Sequence, residues 1–436
     1  MRKMKDSGIE WIGDIPEGWE VRRLKYLVFC NRESLPETTD KEKNIEYIDI
    51  SSVIEGEGIV NSENMSFASA PSRARRIVYE NDIIISTVRT YLKAIAYITY
   101  RYDKCICSTG FAVLSANNKV CYSKYIYYFI SSEYFVSQVT MLSTGISYPA
   151  INASQLLEIF CLLPPLPEQQ AIASYLDAKC AEIESSMDSA RQSIEKLQAY
   201  KLSLITEAVT KGLNPDAEMK DSGVPWIGEI PAGWKVIALR YLGACQNGIS
   251  KAGNFFGYGS PFVSYKDVYQ NMALPEKCSS LIDTTPQEQK IYSVQEGDVF
   301  FTRTSETIDE IGFSSVCLKT IEHASFAGFL IRFRPIKNKI NKSFSKYYFR
   351  SEHHRQYFAQ MNIVTRASLG QEVLKKLPVL LPPLSEQQAI ADYLDTKCAA
   401  IDQLIEDKQQ LIDKLSEYKK SLIFECVTGK REIDHV

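Results

Sequence analysis

The residues with most chemistry to offer are basic and close together. Between Ser69 and Lys104 stand Arg73, Arg75, Arg76, Arg89, Lys93, Arg101 and Lys104, opposed by Glu80, Asp82 and Asp103. Guanidinium and ammonium groups at this density suit phosphate, and arginine can also fork onto a guanine edge. The basic character is local, because the whole chain carries a net charge of −3. The other candidates are weaker. Cys105 and Cys107 have no second cysteine pair or nearby histidine at zinc spacing, so no metal site is expected. The eleven cysteines are scattered, and in a large unsecreted chain reduced thiols without bridges are expected. His353 and His354, beside Arg355, read as a surface pair. The glycine-rich "GNFFGYGS" (Gly253 to Ser260) lacks the lysine and following helix of a phosphate loop and reads as a flexible loop. No P-loop, Asn-Pro-Pro-Tyr pocket, Ser/His/Asp set or clustered-carboxylate nuclease signature stands out, so the chemistry expected is binding rather than catalysis.

What must position these groups is announced by an internal repeat. Met4 to Leu27 and Met219 to Leu242 are identical at 16 of 24 positions, and both contain an "IPxGW" turn. A second block, "LPPLPEQQAIASYLDAKC" from Leu163, matches "LPPLSEQQAIADYLDTKC" from Leu381 at 15 of 18 positions. Between the blocks the halves diverge but keep a common scaffold. "YENDIIISTVR" (Tyr79 to Arg89) parallels "QEGDVFFTRTS" (Gln295 to Ser305), and "SKYIYYFISSEYF" (Ser123 to Phe135) parallels "SKYYFRSEHHRQYF" (Ser345 to Phe358).

Each LPPL block opens a long helix. Pro167 marks the start of the first, a Ser385/Gln388 capping box that of the second, and Gly212 and Gly429 stop them. A seven-residue apolar register runs through Leu176, Ile183, Met187, Ile194, Leu197 and Leu204, and again through Leu394, Ile401, Ile405, Ile412, Leu415 and Leu422. Such a register predicts a coiled coil, most simply formed by the two helices with each other. Lys201 and Lys419 interrupt the seam and are expected to snorkel at fraying ends. The intervening segments read as mixed α/β, with "DIIISTV" and "DVFFTRT" as strands and the aromatic stripe of "YSKYIYYFISSEYF" as helical core. No apolar run approaches the roughly 20 residues of a membrane span, and the polar start lacks a signal-like apolar region; a cytoplasmic protein is expected.

With these motifs in hand, the chain resembles the specificity (S) subunit of type I restriction-modification systems. The resemblance rests on the doubled "IPxGWxxxxL" openings, the "ND" and "GD" strands at Asn81 and Gly297, and the doubled "LPPLxEQxxIxxYLD" helix starts. It implies two globular target-recognition domains of α/β (α+β) type in tandem, separated by two long helices forming an antiparallel coiled coil, with an internal pseudo-two-fold repeat. On that pattern residues 1–162 form domain 1, 163–212 the first helix, 213–380 domain 2, 381–430 the second helix and 431–436 a tail. The implied function is reading double-stranded DNA, one half of a split sequence per domain. Two methyltransferase subunits would do the N6-adenine chemistry and two restriction subunits the cleavage. S-adenosylmethionine, ATP and Mg would sit on those partners and no cofactor on this chain. A scaffold without a DNA role, or an inactive exchangeable cassette, are the alternatives. A helix of about 40 residues spans roughly 60 Å, against roughly 34 Å for one duplex turn, so the pair would act as a ruler.

Base readout needs donors and acceptors at groove edges, with phosphate contacts to place them. In the first half the candidates are Arg73, Arg75, Arg76, the strand-end group Ser86, Thr87, Arg89 with Lys93, and the loop Thr144, Ser147, Tyr148. In the second they are Lys251, Asn254, the strand end Thr302, Arg303, Thr304, Ser305, and the loop Thr365, Arg366, Ser368.

Overall fold

A computed structural model describes residues 2–9, 12–145, 148–305, 311–351, 353–354, 357–358 and 367–433; for residues 304, 305, 367 and 368 only the backbone is described. The chain divides into two compact units, residues 1–190 with 410–436, and residues 191–409.

In the first unit the run Ile83–Ser86 is a central strand. It pairs antiparallel with Ile95–Tyr97 and Phe111–Ala116, and Val28–Cys30 completes the sheet. Three consecutive isoleucines suit a strand covered on both faces, since side chains alternate. Ile83 and Ile85 enter the core built on the helices, while Ile84 enters the core shared with a second sheet. That second sheet is ordered Glu63–Ser66, Asn44–Ile48, Ile106–Ser108, Ala74–Ile77, with its middle pair parallel. The short turn after Ser108 therefore carries the chain from one sheet to the other.

The second unit repeats the plan. Val299–Thr302 lies between Leu330–Pro335 and Ser314–Val316, with Gly243–Asn247 at the far edge. A three-stranded sheet holds Ser280–Ile282, Phe256–Val263 and Ser325–Phe326. Val299 and Phe301 face one core and Phe300 the other. The aromatic stripe is core, as its spacing predicts: Tyr125, Phe129 and Phe135 are fully buried, and so are Phe344 and Tyr348.

Two long helices, Leu166–Lys211 and Leu384–Val427, run through the units. In the first unit Leu176 and Ile183 share a core with Leu422, with Met187 and Leu415 packed at its margin. In the second Leu204 shares a core with Leu394 and Ile401, with Leu197 and Ile405 at the margin. The start of each helix thus meets the end of the other, the antiparallel pairing the heptads predict. Ile412 is buried and Ile194 half-buried. Lys201 and Lys419 do not sit at fraying ends. Lys201 Nζ reaches Asp402 and Lys419 Nζ reaches Glu184, each at 2.6 Å on the opposite helix. The Ser385/Gln388 capping box is also not formed, since Gln388 instead bonds Asn341 and Asp392.

The near-identical blocks send a few of their side chains into the interior. Trp19 and Trp234 are buried, and the Trp19 indole N–H donates to Glu168 Oε1 at 3.0 Å. Gly429, at φ +72°, lies beneath Trp19, where a Cβ would stand 3.3 Å from the ring. Gly212, at φ +78°, lies equally close beneath Trp234. Only glycine suits both the left-handed conformation and the ring. Gln169 Nε2 donates to Pro164 O while its Oε1 accepts from Tyr122 N, both at 2.8 Å. Gln387 makes the same pair of bonds with Pro382 O and Asn341 N.

His353 and His354 are not a surface pair. Both are buried against Tyr348, with their Nδ1 atoms 3.1 and 3.2 Å from Ser351 Oγ. All eleven cysteines are free thiols. Among the described residues no group of three or more potential ligands could hold a metal ion, and no helix is long and apolar enough to cross a membrane.

Candidate nucleic-acid interface

In the first unit three segments far apart in sequence are stitched into one edge. Beyond Ser86 the strand runs out as Thr87, Val88 and Arg89. Thr87 donates through its N–H (2.8 Å) and its hydroxyl (2.9 Å) to Gly110 O, in the turn joining the two sheets. Its own carbonyl accepts from Ile151 N, and Arg89 N donates to Pro149 O at 2.8 Å. Bridges from Ala150 to Val88 and to Thr144 close the loop onto the strand end. Arg73 O accepts from Thr109 N on the same turn, so the arginine-bearing strand joins this edge.

The side chains on the edge differ in what they leave available. Arg89 is exposed and sits in the left-handed region at φ +51°. Its guanidinium lies 4.7 Å over the exposed ring of Tyr148. A non-glycine residue there is uncommon and needs its surroundings to hold it; the bond to Pro149 and the stacking on Tyr148 do so. Arg73 is exposed as well. Lys93 is paired with Glu133 and Glu55. Arg75 stacks on Phe67 and donates to Ala74 O. Arg76 is half-buried beside Cys30 and Cys107, and burial lowers its guanidinium below the usual arginine value. Ser86 is buried with its hydroxyl on Val88 O, so it shapes the edge from beneath. Thr144 and Tyr148 are exposed on the loop; Ser147 lies outside the described residues.

The second unit builds the same edge from different side chains. Arg303 N donates to Phe329 O at 2.9 Å, and Arg303 O accepts from Leu369 N at 2.7 Å. These bonds are the counterparts of Thr87 to Gly110 and of Ile151 to Thr87. Thr304 pairs with Ser368 and Ser305 with Ala367, so the strand end again meets the loop. Thr302 is fully buried beneath them. Thr365 and Arg366 lie outside the described residues. Lys251 is held by Glu288 (2.7 Å) and by Asp283 O (2.8 Å). Asn254 is exposed, and its carbonyl accepts from the Tyr258 hydroxyl. The "GNFFGYGS" stretch is a short 3-10 turn, Gly253–Phe255, followed by the bulged start of the strand Phe256–Val263 rather than a loop. Phe256 pairs with Ile282, and Asp283 N donates to Phe255 O.

Sequence reasoning passed over the turns that complete both edges. They are Ser108-Thr109-Gly110-Phe111 and Ala327-Gly328-Phe329-Leu330. The signal was present: each directly precedes the strand that pairs with "DIIIS" or "DVFFT".

The description "Type I restriction modification DNA specificity domain" matches the chain twice, over residues 16–195 and 231–414. The specificity subunit of the type I restriction enzyme MjaVIII from Methanocaldococcus jannaschii is 26% identical, over 97% of this chain and 95% of that one. The corresponding EcoKI subunit from Escherichia coli K12 is 22% identical over 96% and 90%. Among solved structures, a chain from a type I R-M system superposes with a TM-score of 0.76 at 22% identity, over 96% of this chain and 99% of that one. The HsdS subunit from Thermoanaerobacter tengcongensis superposes at 0.54, also at 22% identity, covering 96% and 98%.

Proposed function

The chain belongs to the type I restriction modification DNA specificity family and is a non-catalytic specificity subunit; from that premise we propose that each unit reads one half of a split DNA sequence through its stitched edge. The observation that carries the proposal is the pairing of equivalent backbone with unlike side chains. Thr87 and Gly110 occupy, bond for bond, the places of Arg303 and Phe329. A surface that must dock the same partner twice keeps its residues, whereas two surfaces reading different bases change them.

Arg73 and Arg89 in one unit and Arg303 in the other are the groups proposed to meet phosphate or guanine, with Thr87, Thr144, Tyr148, Asn254, Thr304, Ser305 and Ser368 as neutral contacts. Methyltransferase and restriction subunits are the partners, proposed at two copies each because a chain with two like halves offers two like docking surfaces. S-adenosylmethionine, ATP and Mg belong to those partners. The cytoplasm, where DNA and both partners are available, is the proposed location.

Co-expression with a cognate methyltransferase subunit, followed by genome-wide mapping of N6-methyladenine, tests the proposal. The expected result is a new split motif with one modified adenine in each half and a fixed gap. A soluble complex that yields no new motif would overturn it. The same map tests the ruler. Four residues inserted near Arg191, with four near Gln409, add roughly 6 Å of helix and should lengthen the gap by one or two base pairs, whereas an unchanged gap removes the helices from that role.

A further inference from the structure

Phe329 is 65% exposed at a position where nothing in the fold asks for an aromatic ring. Single exposed apolar residues are common on proteins and need no explanation. This one is distinguished by how it is held and by what stands beside it.

The turn presenting Phe329 is tied down on both sides. Gly328 packs so closely on Ile249 O and the Ser250 side chain that any Cβ there would collide with the Ser250 hydroxyl. Ala327 bridges to Ile249, and Phe326 before it is fully buried. The Phe329 carbonyl is fixed by Arg303 N. The ring therefore projects from a fixed base next to the residue best suited to read guanine. In the first unit the equivalent position is Gly110, where a Cβ would collide with Ile50 and press on Val88 at 3.2 Å. In the first unit a side chain at this position would have to displace the end of the Ile50 side chain, where the second displays a ring. Among base edges the only apolar group open to such a ring in the major groove is the 5-methyl of thymine.

We propose that Phe329 is a specificity residue of the second half-site, its ring covering the 5-methyl of a thymine next to the base met by Arg303. The inference deepens the reading of the second edge as a DNA reader and rests on it. Phe329 gives preference for thymine without any hydrogen bond, while the first half-site, facing Gly110, lacks this contact.

The test uses the full chain in complex with its methyltransferase partner and the split motif found by methylation mapping. Each thymine of the motif is replaced in turn by deoxyuridine, which removes only the methyl. At one thymine of the second half-site the substitution should weaken binding about four-fold, the worth of one buried methyl. Phe329→Ala should lose that penalty while leaving unchanged any penalty in the first half-site, which also verifies that the variant is folded. A second half-site in which no thymine is methyl-sensitive overturns the assignment, as does a penalty that survives Phe329→Ala. Scrambling the second half-site separates the two levels. If scrambling leaves affinity unchanged, the underlying DNA-reading proposal fails; if it abolishes specific binding while the methyl effects are absent, only the role of Phe329 fails.

Discussion

Trp19 and Trp234 occupy equivalent places in the two units, and so do Thr87 and Arg303. The first pair has stayed the same residue and the second has become two residues with nothing in common. Burial separates the cases. Each tryptophan is enclosed, over the glycine that ends a long helix, so any change leaves a cavity or a clash. Thr87 and Arg303 contribute to the fold through the same backbone bonds, which any residue but proline can make. Apart from the Thr87 hydroxyl, which adds a second bond to Gly110 O, their side chains are left to vary with the ligand. The difference teaches that in this chain likeness between the halves at buried positions marks what the fold requires, and unlikeness at equivalent exposed backbone marks what the ligand requires.

The largest test is inside the conserved blocks. Trp19→Ala and Trp234→Ala should each cost about 3 to 5 kcal/mol of stability, with each unit followed separately by hydrogen exchange because two units need not unfold together. The phenylalanine variants sharpen the comparison. Trp19→Phe removes a donor from the buried Glu168 and should cost about 1 to 3 kcal/mol. Among the described residues the Trp234 indole N–H has no acceptor, so Trp234→Phe should be the cheaper of the two. Equal costs would show that the Trp19–Glu168 bond contributes nothing.

At the edges, Arg89→Ala and Arg303→Ala should each weaken specific duplex binding by about 1 to 3 kcal/mol if they read bases. Each effect should be confined to one half-site, so that scrambling the first half-site abolishes the effect of Arg89→Ala and leaves that of Arg303→Ala intact. Uniform loss on specific and scrambled duplexes alike would instead make them phosphate contacts with a shallower salt dependence as their signature.

Much of this was legible in the sequence because the repeat supplied an internal comparison. Heptads, terminal glycines and the β-branched run of "DIIIS" marked the helices and central strands through local rules. The edges were only partly legible. Arg73, Arg75 and Arg76 are neighbours in sequence with different surroundings: solvent, the Phe67 ring, and the vicinity of Cys30 and Cys107. Charge pattern cannot tell these apart, since the deciding neighbours come from other strands. The same holds for Lys251, whose partner Glu288 lies on the helix Pro286–Ile291, and for Gly110 and Phe329, which matter because of backbone bonds to distant strands.

The histidines give the cleanest contrast. Ser132 and Ser351 are equivalent, their hydroxyls donating to Phe129 O at 2.6 Å and Tyr348 O at 2.7 Å. Two and three residues later the first unit buries Tyr134 and Phe135, where the second buries His353 and His354. Burial pushes His353 down to about 4, and burial with the neighbouring His353 pushes His354 well below its ordinary 6.5. The folded second unit therefore holds these rings neutral, and the unfolded chain binds protons that the folded one does not. Stability is complete above pH 6.5 and drains as pH falls from there toward 4, at about 1 kcal/mol per pH unit for one such ring. Hydrogen exchange at about pH 7.5 and about pH 5, corrected for intrinsic rates, should show Lys342–Tyr348 losing protection and Ser123–Ser131 keeping it. The double variant His353→Tyr with His354→Phe, which installs the first unit's residues, should remove the difference; acid sensitivity that persists in it would assign the effect to other groups.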